Sequence, residues 1–192
     1  MADNVWDERR KSLEEAFFKE RDRHLLEQLR KQYAEADKIA ALHAVSGISD
    51  EATLQKLVES GVDASIFTAL MLVPLVEVAW SDGAVQENEK EAVLKAAEAH
   101  AIARGTPAFI WLERLLLERP DPAVFAAWRA YVGALAKELP PQAVEASRNQ
   151  MLRWVTRVAE AAGGFLGFGN KISPMEQATI HELERAYGAP TA

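Results

Sequence analysis

Four times in this 192-residue sequence a proline follows either a helix-capping side chain or another proline: Thr106-Pro107, Asp121-Pro122, Pro140-Pro141 and Ser173-Pro174. Proline is tolerated at the first position of a helix, where its missing N–H would have no partner anyway, and a preceding Ser, Thr or Asp accepts from the free N–H groups of the first turn. Such pairs fix helix starts. No stretch between them alternates apolar and polar residues as a half-buried strand would. The expected fold class is therefore all-α, a multi-helix bundle of about eight helices joined by short polar or glycine-containing turns.

The remaining boundaries follow from the same signals. Ser49 or Asp50 starts a short helix that stops at Gly61, and Asp63 is placed to cap a helix over Ala64 to Trp80. Pro74 lies inside that stretch, so the helix is either kinked there or begins again. A further amphipathic helix is expected from Glu87 to about Ala103. Pro140-Pro141 opens a long one toward Ala162, and Ser173-Pro174-Met175-Glu176 is a capping box whose helix ends at Gly188.

Ahead of all these stands a long expected helix from about Val5 to Val45, ended by Gly47. Residues 1–38 carry ten acids and nine bases, mixed at helical spacings such as Glu15 with Lys19 and Glu27 with Lys31, which suits a solvated helix. Leu13, Phe17, Leu25, Leu29, Tyr33 and Ala40 form a narrow apolar stripe along it. A helix of about 40 residues is about 60 Å long at 1.5 Å per residue, more than a domain of this size can cover. Leu25, Leu29 and Tyr33 are therefore expected to face a protein partner or a second copy. Residues 1–46 divide in this way from a bundle domain over residues 47–192.

Composition removes several classes of function. The balance of 22 Lys and Arg against 29 Asp and Glu gives −7, which argues against nucleic acid as a partner. With no Cys there is no disulfide, thiolate metal site or cysteine nucleophile. His24, His43, His100 and His181 make no metal-binding pair at helical spacing. No Gly-x-Ser-x-Gly or His-Glu-x-x-His motif occurs, so no catalytic set and no small-molecule substrate are expected. Trp80, Trp111, Trp128 and Trp154 are expected in the core. The apolar run Ile66 to Trp80 is too short to span a bilayer, and Met1-Ala2-Asp3-Asn4 does not open a secretory signal; the expected location is cytoplasmic.

Two tracts remain as candidates for a site. Asp82-Gly83-Ala84-Val85 with Glu89 has the spacing of the second half of an EF-hand loop, making Asp82 and Glu89 candidate ligands of a weakly held divalent cation, calcium or manganese. The first half is missing, because Val78 and Trp80 occupy its acidic positions, and the competing reading is a tight turn before an acid-rich helix start. The tract Gly163 to Lys171 carries Phe165, Leu166 and Phe168 among four glycines. It lacks the strand and the Gly-Lys step of a phosphate loop. It is either packed on the bundle or exposed to bind a partner or a membrane surface.

An internal echo connects the two tracts. Val85 to Glu89 followed by Val93 matches Ile172 to Glu176 followed by Ile180, as in a pseudo-duplicated pair of helix-turn-helix units. The stretch Val78-Ala79-Trp80-Ser81-Asp82-Gly83-Ala84-Val85 followed by Glu89 resembles a TerB-like (tellurite-resistance B-like) domain, a likeness that covers residues 64–188. The resemblance implies an all-helical pseudo-duplicated fold, a role in metal or chemical stress within membrane-linked complexes, and a divalent cation at Asp82 and Glu89. In the second copy Gly169-Asn170 stands in place of Asp-Gly. The function expected is a non-enzymatic binding or adaptor module, and the alternative is an ion-free scaffold or membrane-surface protein that uses the N-terminal helix and the glycine-rich loop. Far-ultraviolet circular dichroism should report helix well above the roughly one-third average of globular proteins, and a sheet-dominated spectrum would contradict the fold class.

Overall fold

The computed structural model describes Glu27, residues 33–162 and residues 172–188. Leu25, Leu29, Phe165, Leu166 and Phe168 lie outside the described residues, as does most of the expected N-terminal helix. The chain divides into two compact units, Met1–Lys38 and Ile39–Ala192. In the first, residues 33–38 are helical and Tyr33 is exposed, as the stripe predicts.

In the second unit the described residues form helices and no strand. Helical residues 39–46 (α1) end at Gly47, whose φ of 69° lies in the left-handed region open to glycine. Then follow α2 (Glu51–Glu59), α3 (Phe67–Leu70), α4 (Val73–Ala79), α5 (Glu87–Ala99), α6 (Pro107–Leu117), α7 (Pro122–Glu138), α8 (Pro141–Ala162) and α9 (Pro174–Arg185). All four proline-marked starts lie where the sequence puts them. The Asp50, Thr106, Asp121 and Ser173 side chains accept from the backbone N–H groups of Thr53, Phe109, Ala123 and Glu176.

Two boundaries differ from expectation, each for a local reason. The stretch Ala64 to Trp80 is not one helix. The Asp63 carboxylate accepts from the Ser65 N–H and hydroxyl, which holds residues 64–66 in a turn, and α3 starts only at Phe67. The chain turns again at Met71 and Leu72, and α4 restarts with Pro74 in its first turn, where the missing N–H has no consequence. The helix expected to reach Ala103 stops at Ala99, because Ala101 adopts a φ of 60° and Ile102 turns inward to donate to the Ala97 carbonyl.

The core is organised around α4. Val73, Leu75, Val76, Val78 and Ala79 have no accessible surface, and α5, α6, α7, α8 and α9 all pack against this helix. α2 lies on α7, α3 on α6, and α8 on both α5 and α9. Trp128 of α7 is wholly enclosed, as expected, whereas Trp80, Trp111 and Trp154 are only partly buried. The one charged side chain of α4, Glu77, pairs with Arg129 of α7. Burial raises the Glu77 carboxyl above its usual value, against the pull of Arg129.

This arrangement makes core truncations in α4 expensive and truncations on the exposed face of α6 cheap. Leu75→Ala should lower the unfolding free energy by about 2–5 kcal/mol, and Ile110→Ala by no more than about 0.5 kcal/mol. Urea denaturation of the two variants beside the parent protein measures both.

Candidate functional site

Asp82 and Glu89 flank the turn that joins α4 to α5. The Trp80 indole donates to the Leu115 carbonyl at 2.8 Å and fixes where the chain leaves α4. Gly83, with a φ of 98°, turns it, and Asp82 Oδ1 accepts from the Ala84 N–H at 3.2 Å. Asp82 is exposed, while Glu89, at the third position of α5, is only 2% exposed. Glu89 Oε2 accepts from the Gln86 N–H at 2.8 Å, the acidic half of a capping box. Next to it the Asn88 amide donates to the Ala161 carbonyl and ties the start of α5 to the end of α8.

The same construction recurs at α9. Glu176, also at the third helical position and 5% exposed, accepts from the Ser173 N–H at 2.5 Å, and its own N–H donates to Ser173 Oγ at 3.2 Å. Val93 and Ile180 are both buried, and Val85 and Ile172 both pack against the core. The internal echo in the sequence is thus an echo in three dimensions. Burial pushes the Glu89 carboxyl up to about 7; the Gln86 N–H opposes the shift, and the charges of Asp82 and Glu176 add to it. The structure therefore brings Glu89 within electrostatic reach of Asp82 and of Glu176. Glu176 was not among the expected site residues, although the echo aligns it with Glu89. Among the described residues no group of three or more His, Cys, Asp or Glu side chains is placed to hold a metal ion.

A second feature lies where α5 ends. The His100 ring rests against the Trp154 ring of α8, with centroids 3.8 Å apart and planes tilted by 58°. The pair stands between two surface hollows. One, of about 400 Å³, is lined by Val45, Phe67, Thr68, Met71 and Leu72. The other, of about 270 Å³, is lined by Ala92, Ala96, Ala99 and Val158, with Lys95 and Arg157 as its charged residues. Together they make one apolar groove interrupted by the ring pair. Partial burial holds the His100 imidazole below its usual value, since desolvation disfavours the charged ring. Val45 is half exposed in this groove. Sequence reasoning assigned Trp154 to the core and His100 to no site. The lining comes from residues far apart in the chain, and only the partial burial of Trp154 exposes it.

By class, the protein is an all-helical bundle with twin buried glutamates at two helix starts and an apolar groove on its surface. No protein-family model, no curated protein and no solved structure matches the chain. Among the described residues no helix is long and apolar enough to cross a membrane.

Glu89 gives folding stability a pH dependence with a definite sign. Unfolded, Glu89 releases its proton near 4.5; folded, it holds the proton up to about 7. Between those values the folded state binds the extra proton, so the stability contributed by protonated Glu89 is lost as pH rises through that window. Glu89→Gln retains an acceptor for the Gln86 N–H and removes the charge. The melting temperature of Glu89→Gln relative to the parent should be higher at pH 8 than at pH 5. Equal shifts at the two pH values, read by circular dichroism, would contradict this reading.

Proposed function

We propose that this chain is a cytoplasmic, non-enzymatic binding module of the TerB-like type, an adaptor in a stress response, which receives an amphipathic helical segment of a protein partner in the groove at His100 and Trp154. The groove is the observation that carries the reading. The larger hollow, at about 400 Å³, falls within the usual range of ligand pockets of roughly 300–1,000 Å³. Its walls are mainly aliphatic and aromatic, and the smaller hollow beyond the ring pair lies between α5 and α8, which suits the mode in which an apolar helix face is laid into a groove. The absence of an acid, base and nucleophile set from the sequence supports a binding role over a catalytic one. The TerB-like reading rests on the Asp82-Gly83 motif and on its echo at α9.

Helical peptides selected against the full chain from a display library provide the test. Their binding should shift the backbone amide resonances of Thr68, Ala96 and Ala99 and the indole resonance of Trp154. Thr68→Glu and Ala99→Glu place a charge in the groove from exposed positions, and each should weaken binding about tenfold or more, since an unpaired charge is costly to bury. Selected peptides that leave these resonances unmoved would overturn the groove reading.

A second reading is favoured by one observation, the repulsion that Asp82 and Glu176 exert on Glu89. A divalent cation beside Asp82 and Glu89 offsets that repulsion. Calorimetric titration with calcium or manganese should show weak binding that is lost in Asp82→Ala. Binding that survives this substitution would place the ion elsewhere.

A further inference from the structure

We infer that the groove's occupant is the acidic aromatic stretch Leu13-Glu14-Glu15-Ala16-Phe17-Phe18-Lys19-Glu20 of a second copy of this chain, an inference that rests on the groove reading above. The argument begins with charge. The protein carries −7, yet the charged residues that line the groove are the cations Lys95 and Arg157. Lys95 is bound only by Glu91, in an exposed pair one helical turn away, an arrangement weak enough to be exchanged for another carboxylate. Arg157 is exposed and has no ion-pair partner among the described residues. The groove therefore calls for a segment with large apolar anchors and acidic flanks.

Residues 13–20 have that composition. Leu13 and Phe17 stand four apart in the sequence, Phe18 adjoins them, and Glu14, Glu15 and Glu20 outweigh the single base Lys19. The next part of the N-terminal stripe does not fit as well, since around Leu25 and Leu29 the bases Arg21, Arg23, Arg30 and Lys31 outnumber the acids Asp22 and Glu27, and the cationic rim repels that balance. Phe is among the anchors that bury the most area per residue, and a helix face placed in a groove presents it at i and i+4 spacing. Each copy carries one such segment and one such groove. Two copies that exchange segments satisfy both grooves and close a symmetric dimer with no free binding surface left to extend a filament.

The experiment uses the full chain. Sedimentation equilibrium of the parent protein should show a monomer–dimer equilibrium that weakens as salt is raised, because the rim contacts are ionic. Phe17→Asp should raise the dissociation constant at least about tenfold, as loss of a central aromatic anchor does. Reversing the rim with Lys95→Glu and Arg157→Glu should weaken the dimer, and adding Glu14→Arg and Glu15→Arg to that variant should restore it. Circular dichroism melts of each variant establish that the fold is retained. A synthetic peptide of residues 11–22 should compete with the dimer and shift the amide resonances of Thr68, Ala96 and Ala99.

A dimer indifferent to Phe17→Asp, or a charge reversal without rescue, overturns the proposal. So does a chain that stays monomeric at every concentration, including one in which the peptide still binds, since the second copy is then not the occupant. If library-selected peptides shift the groove resonances and the 11–22 peptide does not, this occupant fails while the groove reading stands. If neither shifts them, both fail together.

Discussion

A helix that is apolar on every side is stable in water only when other elements enclose it on every side. α4 is such a helix except at Glu77, and the bundle can be understood as the means of enclosing it. Five helices pack on its seven residues, and together they leave Leu75, Val76 and Val78 no accessible surface. The short length of α4 follows from the same demand. Leu72 and Trp80 bracket it, and beyond Trp80 the chain reaches the surface at once, through an indole hydrogen bond to α6 and a polar turn.

That enclosure also positions the two candidate sites. α5 and α8 run antiparallel along one flank of the bundle: Asn88 at the start of α5 meets Ala161 near the end of α8, and His100 after α5 meets Trp154. Glu89 and the His100–Trp154 ring pair therefore stand at opposite ends of α5, about 16 Å apart along its axis for 11 residues at 1.5 Å each. Glu89 and Glu176 satisfy backbone donors that would otherwise be left open, and Glu89 does so in the field of the Glu176 charge. Electrostatic repulsion is tolerated at this point because both helix starts need an acceptor in the same buried region.

The sequence made the helix starts legible because they depend on side chains acting within four residues of themselves. Thr106, Asp121 and Ser173 beside their prolines needed no tertiary information. Helix ends were harder. Ala101 in a left-handed conformation is set by the inward turn of Ile102 and has no signature in a run of alanines. Gln86 concealed the box at α5, since glutamine is not among the preferred capping residues. The turn at Asp82 and the burial of Val93 were readable from periodicity, but the nearness of Glu89 to Glu176 required two separate units to meet. The groove was illegible for a related reason. Its lining is drawn mainly from α1, α3, α5 and α8, and each apolar residue in it looks locally like an ordinary core position.

Glu77 gives the central helix something its apolar residues cannot. Val, Leu and Ala on every side of α4 would fill the same space after the helix had rolled about its axis, so packing alone distinguishes the orientations weakly. A single carboxylate that must reach Arg129 of α7, with its second oxygen enclosed and unbonded, accepts only one rotational phase. The pair acts as a key in a shaft. Its worth lies less in stability than in making one angular setting of the core the native one, and through that setting it fixes the directions in which the chain enters and leaves α4.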